Sequence, residues 1–234
     1  MKRGLLDNLV KARRHKQPVV LVRGLNSGRQ FIVTPQEFAG DVEDIDPTLR
    51  DAARAALDLE GARALESNAE RFLLQTLGAP PRIVIIGAVH IAQALIPMAS
   101  RAGYDICLID PRTAFANPER FPEIEIDNRW PDEAMADLEL DVRTAVVTLS
   151  HDPKIDEPAL QAAMESDAFY IGALGSKGNH AKRLQRLAAL GYSREQLDRV
   201  FGPIGLPLGG RSPAEIAVAI LAQVIQSRNK RLEQ

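Results

Sequence analysis

Three of the chain's four histidines, His90, His151 and His180, stand where strand-like runs give way to helical patterns. His151 is followed by Asp152, and an imidazole beside a carboxylate can hydrogen-bond a ligand or pass a proton near neutral pH. Three histidines on one sheet edge also raise metal ligation, although their spacing matches no compact metal motif. The segment Gly172-Ala173-Leu174-Gly175-Ser176-Lys177-Gly178-Asn179-His180 combines three glycines, a hydroxyl and a lysine just before a helical pattern. Unpaired N–H groups at a helix start attract anions, so Gly175, Ser176 and Lys177 are expected at a phosphate. The order of residues is not that of a Walker loop. The same stretch also reads as a glycine-rich turn in which Ser176 is an ordinary N-cap.

A second candidate is Gly87-Ala88-Val89-His90-Ile91-Ala92, with Asp110 at the end of the next strand. The dinucleotide fingerprint asks for glycine at the first and third of these positions and glycine or alanine at the sixth. Gly87 and Ala92 comply. Val89 does not, and a β-branched side chain there keeps a pyrophosphate from close approach. Asp110 follows Gly87 by 23 residues, the distance of an acid that accepts ribose hydroxyls. The loop therefore reads either as a modified nucleotide or pterin-phosphate site, or as a tight turn that has lost its ligand. In the first case Gly87, Ala88 and His90 form the floor, Asp110 and Arg112 read a sugar or pterin edge, and His151 with Asp152 faces the reactive end.

The elements that must position these residues follow from hydrophobic rhythm. RIVII (82–86) is a short apolar run ending in Gly87, as expected of a strand buried on both faces. A helix is predicted over about 90–102, interrupted by Pro97. Further strands are predicted at 105–110, 123–126, 144–150 and 168–174, with helices between most of them. That alternation favours a parallel sheet with right-handed crossovers. Four loops should then converge at the carboxyl ends of the strands, 87–90, 110–112, 150–153 and 172–180. Ser212, Pro213 and Glu215 mark the start of the last helix as N-cap, first residue and capping-box partner. Gly202 to Gly210 is a backbone-permissive run leading into it.

Residues 1–78 have a different texture. VVLVRG (19–24) and RQFIVT (29–34) flank a turn at Asn26-Ser27-Gly28 and predict a hairpin. Leu49, Ala52, Ala53, Ala56 and Leu57 recur at helical spacing. A second hairpin is predicted across Asn68-Ala69-Glu70, and Gly78-Ala79-Pro80-Pro81 is a stiff connector. The expected architecture is α/β, a Rossmann-like and mostly parallel sheet with helices on both faces over 79–234, beside a small N-terminal α/β domain over 1–78.

Composition narrows the function. The 234 residues are 45% hydrophobic and 26% charged with a net charge of −2, which supplies no basic field for tracking nucleic acid. One cysteine, Cys107, excludes an intramolecular disulfide and suits a reducing compartment. The N-terminal stretch holds no signal-peptide core and no run approaches membrane-spanning length, so the expectation is a cytoplasmic protein without nucleic acid or membrane as partner.

IVIIGAVHIAQAL, LIDPR, SHDP, YIGALGSKGNHAKRL and GPIGLPLGGRSPAEIAVAILAQ, in that order, resemble the C-terminal domain of the XdhC/CoxI family over about 81–226. Members of that family are maturation factors for molybdenum hydroxylases such as xanthine dehydrogenase and carbon monoxide dehydrogenase. The resemblance implies a Rossmann domain beside a smaller domain, often in a homodimer. It implies binding of the molybdenum cofactor (molybdopterin, or a dinucleotide form of it) while a cysteine desulfurase exchanges an oxo for a sulfido ligand. Delivery to the apo molybdenum hydroxylase follows, so such a protein need not turn over substrate itself. One departure is plain. Family members commonly carry an N-terminal cysteine implicated in cofactor binding, whereas residues 1–78 contain none and Cys107 lies in a strand pattern that suits packing. Two other readings stay open: an NAD(P)-dependent oxidoreductase, from Gly87, Ala92 and Asp110, and a nucleotide-binding interaction module without catalysis.

Overall fold

Val20 and Val22 turn one way from their strand, Val19 and Leu21 the other, and all four are buried. A strand apolar on both faces must be covered on both, and the first part of the chain supplies a helix for each. The computed structural model describes residues 3–14, 17–59, 61–78 and 80–232. The chain divides into two units, Met1–Pro80 and Pro81–Gln234.

The first unit runs α1 (Arg3–Arg14), β1 (Val19–Gly24), β2 (Gln30–Val33), β3 (Phe38–Gly40), α2 (Pro47–Ala55), β4 (Gly61–Ser67) and β5 (Glu70–Leu77). Its sheet has the order β3-β2-β1-β5-β4, antiparallel throughout. Leu5, Leu9 and Ala12 of α1 pack with Val19, Leu21 and Ile32. Leu49 and Ala53 of α2 pack with Val20, Val22, Phe31 and Leu74 on the opposite face. Asp46 caps α2 by accepting from the N–H groups of Thr48 and Leu49. Both predicted hairpins form. The second turns on Asn68 and Ala69 alone, with φ of 49° and 60°, the left-handed pair that a two-residue turn requires. Helix α1 lies outside the predicted elements, although Leu5, Leu9 and Ala12 stand at helical spacing.

The second unit runs β6 (Arg82–Ile86), α3 (His90–Arg101), β7 (Asp105–Ile109), β8 (Ile126–Asp127), α4 (Pro131–Ala136), β9 (Thr144–Thr148), α5 (Pro153–Met164), β10 (Tyr170–Ala173), α6 (Lys177–Ala189), α7 (Arg194–Asp198), β11 (Val200–Phe201) and α8 (Pro213–Leu232). All six strands are parallel. Counted from first to last, their order across the sheet is 3-2-1-4-5-6, the doubly wound arrangement. Helices α3 and α8 cover one face, where Ile91, Leu95, Ala217 and Ile220 meet Ile83, Ile85 and Val147. Helices α4, α5 and α6 cover the other through Met135, Ile155, Leu160 and Leu187, against Val84, Ile86 and Val146. This is the α/β architecture expected. Helix α3 runs through Pro97. The predicted capping box of α8 forms reciprocally, Glu215 N–H to Ser212 Oγ at 3.3 Å and Ser212 N–H to Glu215 Oε2 at 3.0 Å. The strand expected at 123–126 contracts to Ile126–Asp127. Ile124 instead packs against the α3–α8 core while Glu123 and Glu125 face solvent, so the alternation is real but only its end reaches β7.

Candidate functional site

Strands β6 and β9 are neighbours, yet the helices that follow them cover opposite faces, so their loops part at the carboxyl edge. Such a switch point is where doubly wound sheets place ligands. Gly87 makes the turn with φ of +107°, and a Cβ there would lie 2.8 Å from the backbone nitrogen of Ser150 on the neighbouring loop. Glycine is thus required on two counts, conformation and approach. Ala88 is fully buried and donates its N–H to Asp110 Oδ2 at 2.7 Å. Val89, at the position the fingerprint gives to glycine, is the extended N-cap of α3, which starts without a side-chain cap. His90 is the exposed first residue of that helix.

Asp110 is 0% exposed. Besides the Ala88 N–H it accepts from Arg112 N and Nε at 2.9 Å each and from Arg112 Nη2 at 2.8 Å. Burial opposes its ionisation, but the bonds from Arg112 and Ala88 outweigh that and hold its carboxyl below the usual carboxylate range. Asp110 is therefore closed to a ribose diol; it joins the loop after β6 to the loop after β7. Arg120, which the sequence did not single out, closes the same turn from outside. Its Nη1 donates to Ala88 O at 2.9 Å and to Phe115 O at 2.7 Å, and Nη2 donates to Gln93 Oε1 at 3.1 Å. The guanidinium of Arg112 lies 4.9 Å from the ring centroid of Phe115, which is 46% exposed. A cation over an exposed ring makes a flat surface at the mouth of the crevice.

On the other side of the switch point the Ser150 loop rests on a buried carboxylate. Ser150 donates from N at 3.2 Å and from Oγ at 2.7 Å to Asp156 Oδ1. Burial pushes the Asp156 carboxyl up, against the Ser150 bond and the positive field of Arg183. Arg183 Nη2 is 3.8 Å from Asp156 Oδ2, too far for a hydrogen bond, and donates to Leu174 O at 2.9 Å. Arg183 Nη1 and Asp156 Oδ2 are buried without hydrogen-bond partners among the described residues. Burial lowers the Arg183 pKa while Asp156 opposes it. Next to this pair His151 takes φ of +64°, a left-handed conformation that costs a non-glycine residue about 1–3 kcal/mol. Asp152 caps α5 by accepting from Lys154 N–H at 2.9 Å. A recess of about 220 Å³ opens here, lined by His151, Pro153, Leu174, Asn179, Lys182 and Arg186, with Arg183.

The glycine-rich segment divides by role. Gly172 lies inside β10, where a Cβ would meet Ile204 Cδ1 and the Tyr170 hydroxyl at 2.6 Å, so it serves packing. Gly175, with φ of +144°, leads to Ser176, which caps α6 through Asn179 N–H at 3.2 Å. Lys177 is the exposed first residue of that helix. The ring of His180 packs on Gly202, and its half-buried imidazole is held toward the neutral form by burial and by Arg183. The structure thus brings together Gly87, Ala88, Asp110 and Arg112 in one cluster. His151 joins Lys182, Arg183 and Arg186 in another, His180 feels Arg183 from one turn back on α6, and His90 stands apart. Among the described residues no group of three or more His, Cys, Asp or Glu side chains is arranged to hold a metal ion.

Strand order and crevice define a doubly wound, Rossmann-type unit. Residues 83–224 match the XdhC Rossmann domain. The chain belongs to that family. Over 147 residues it is 36% identical to the molybdenum cofactor insertion chaperone PaoD of Escherichia coli, covering 63% of this chain and 40% of that one. It is 26% identical over 158 residues to a protein of Bacillus subtilis named as a probable xanthine dehydrogenase subunit, covering 67% and 46%. The chain therefore spans less than half the length of these curated relatives. A crystal structure described as a xanthine dehydrogenase from Bacillus halodurans superposes with a TM-score of 0.73 at 22% identity, over 98% of this chain and 65% of that one. That likeness concerns the fold.

Proposed function

We propose that the protein is a maturation factor for a molybdenum hydroxylase of the xanthine dehydrogenase or carbon monoxide dehydrogenase type, carrying the molybdenum cofactor as cargo. The observation that carries this reading is family membership over residues 83–224, the same residues that build the switch-point crevice. Relatives named for cofactor insertion and for xanthine dehydrogenase support it. The donors present suit a phosphate-bearing pterin: uncapped N–H groups at α3, the Arg112–Phe115 surface, and the cationic recess beside His151. They do not suit a thiolate-held metal. The single cysteine, Cys107, sits in β7, where burial and then Asp127 push its thiol up. The cargo is accordingly gripped by its organic part, and sulfuration by a cysteine desulfurase and insertion into the apo-hydroxylase are steps in which partners act on it. No described helix is long and apolar enough to cross a membrane. We place the protein in the cytoplasm, as a homodimer.

The NAD(P) reading keeps the strand order in its favour, but Asp110 is closed by Arg112 and Ala88. Co-expression with cofactor biosynthesis, purification, and joint assay of bound molybdenum and fluorescent pterin oxidation products tests the proposal. Near-stoichiometric pterin is expected. Pterin without metal would assign metal retention to a partner's thiolate. Absence of both, with loss of the gene leaving hydroxylase activity intact, overturns it in favour of a nucleotide-binding interaction module.

A further inference from the structure

Arg183 is an unusual arginine for a helix on the surface of a sheet. Its side chain is 7% exposed, one nitrogen is bonded to the Leu174 carbonyl, and another has no partner among the described residues. The nearest carboxylate, Asp156, is held by Ser150 and stands 3.8 Å away, with its second oxygen also unpartnered. Burying a guanidinium with an unused donor costs free energy unless something accepts from it. Leu184 and Leu187 supply the apolar contacts of α6, and the bond to Leu174 O uses only one nitrogen of Arg183, so the rest of its guanidinium is unspent.

The surroundings identify the charge this wall would attract. Arg183 lines the recess that His151, Asn179 and Lys182 also line. Arg186 shares that wall but is tied to Glu157 by a 2.7 Å bond from Nε, so its charge is largely met. Lys182 has no ion-pair partner among the described residues and is exposed. Gly175 leaves open the space beside the guanidinium, for a Cβ there would be 3.8 and 4.0 Å from its two terminal nitrogens. His151 is kept at the rim in a left-handed conformation, and Ser150 Oγ braces the turn by accepting from Asp152 N–H at 3.0 Å. Strain of this kind persists where it serves a site. At about 220 Å³ the recess is smaller than the roughly 300–1,000 Å³ of pockets that enclose a drug-sized ligand, so it takes one end of a molecule.

We infer that this recess is a phosphate-monoester seat, with the exposed ammonium of Lys182 as its donor, the buried guanidinium of Arg183 as positive charge in its wall and His151 at its rim. The seat lies a turn and a half further along α6 than Ser176 and Lys177, the pair that the sequence pointed to. It stands on the recess itself. The cargo reading adds only where the phosphate comes from, namely the phosphate of the bound pterin.

The test is calorimetric titration of the full chain with inorganic phosphate and, separately, with glycerol 3-phosphate, in chloride buffer of constant ionic strength. Saturable binding of both is expected, tighter for the ester. Lys182→Ala is a surface change that leaves the fold intact, and it should weaken binding by about tenfold. Arg183→Gln removes the positive charge from the wall and should weaken binding comparably, with circular dichroism confirming the fold. Arg101→Ala, at the far end of α3, should not alter it. Absence of binding, or binding lost in Lys177→Ala and kept in Lys182→Ala, overturns the seat. Phosphate binding through Lys182 in a protein that co-purifies no pterin keeps the seat and removes the cargo reading. Pterin retained undiminished by both recess variants keeps the cargo reading and overturns the assignment of its phosphate to this seat.

Discussion

A Cβ on Gly87 would lie 2.8 Å from the backbone nitrogen of Ser150. The two residues begin the loops that part at the switch point, and the missing side chain lets those loops start in contact. Gly87→Ala should therefore destabilise the fold by more than the about 1–3 kcal/mol of a positive-φ alanine alone. Gly103→Ala is the matched comparison, because Gly103 has φ of +87° and nothing within 4 Å of its Cβ position. Urea unfolding of both variants isolates the contact. Equal losses would mean that the Ser150 loop yields.

Asp110→Asn retains shape and removes the charge that Arg112 and Ala88 N–H address. The loss should be about 3 kcal/mol, the low end for a broken buried pair, because Arg112 can still reach water. The pH dependence has a definite sign. The folded pKa of Asp110 lies below its ordinary value of 3.8, so its contribution is present above that value and fades as pH falls through the lower folded pKa. Wild-type stability should fall with acidification below 3.8 more steeply than that of the variant, as read from thermal midpoints.

Gly172→Ala addresses packing. The added methyl would press on Ile204 and on the Tyr170 hydroxyl, which donates to Gln223 Oε1 at 2.6 Å while Gly205 N–H bonds the same oxygen at 2.7 Å. Overpacking of this kind costs about 1–3 kcal/mol. A chemical-denaturation midpoint equal to wild type would show that Ile204 gives way freely.

Cys107 should be nearly inert. Burial and then Asp127 raise its thiol pKa, and reactivity follows the thiolate. Iodoacetamide is expected to label the native protein at least about tenfold more slowly than the urea-unfolded chain. Comparable rates would require β7 to open readily.

The strand–helix rhythm after Pro81 was readable because a buried parallel strand is an uninterrupted apolar run, as RIVII and TAVVT are. Caps were readable because they are local: Ser176, Ser212 and Glu215 act within three or four residues of themselves. The site was legible only in part. Gly87 and Asp110 were found through their spacing, but the fate of Asp110 was decided by Arg112, whose reach back no spacing rule reports. Arg120 meets Ala88 across 32 residues of sequence, beyond any local signal. On α6 the pattern drew attention to Lys177, whereas burial selects Arg183, and burial is a property of the folded sheet. His180 stands in the sequence as a loop residue, and its packing against Gly202 depends on a segment 22 residues away.

The bonds that fix Ala88 also bear on timing. Asp110, Arg112 and Arg120 hold the turn after β6 entirely with the protein's own groups. The turn is set before any ligand arrives, and no ligand atom is needed to keep it. Entry then meets no ordering cost in this loop, and departure has no loop to unfold. For a carrier of the proposed kind, residence time would be set by the few contacts at the ligand's ends, so a recipient that competes for those contacts could empty the site in one step.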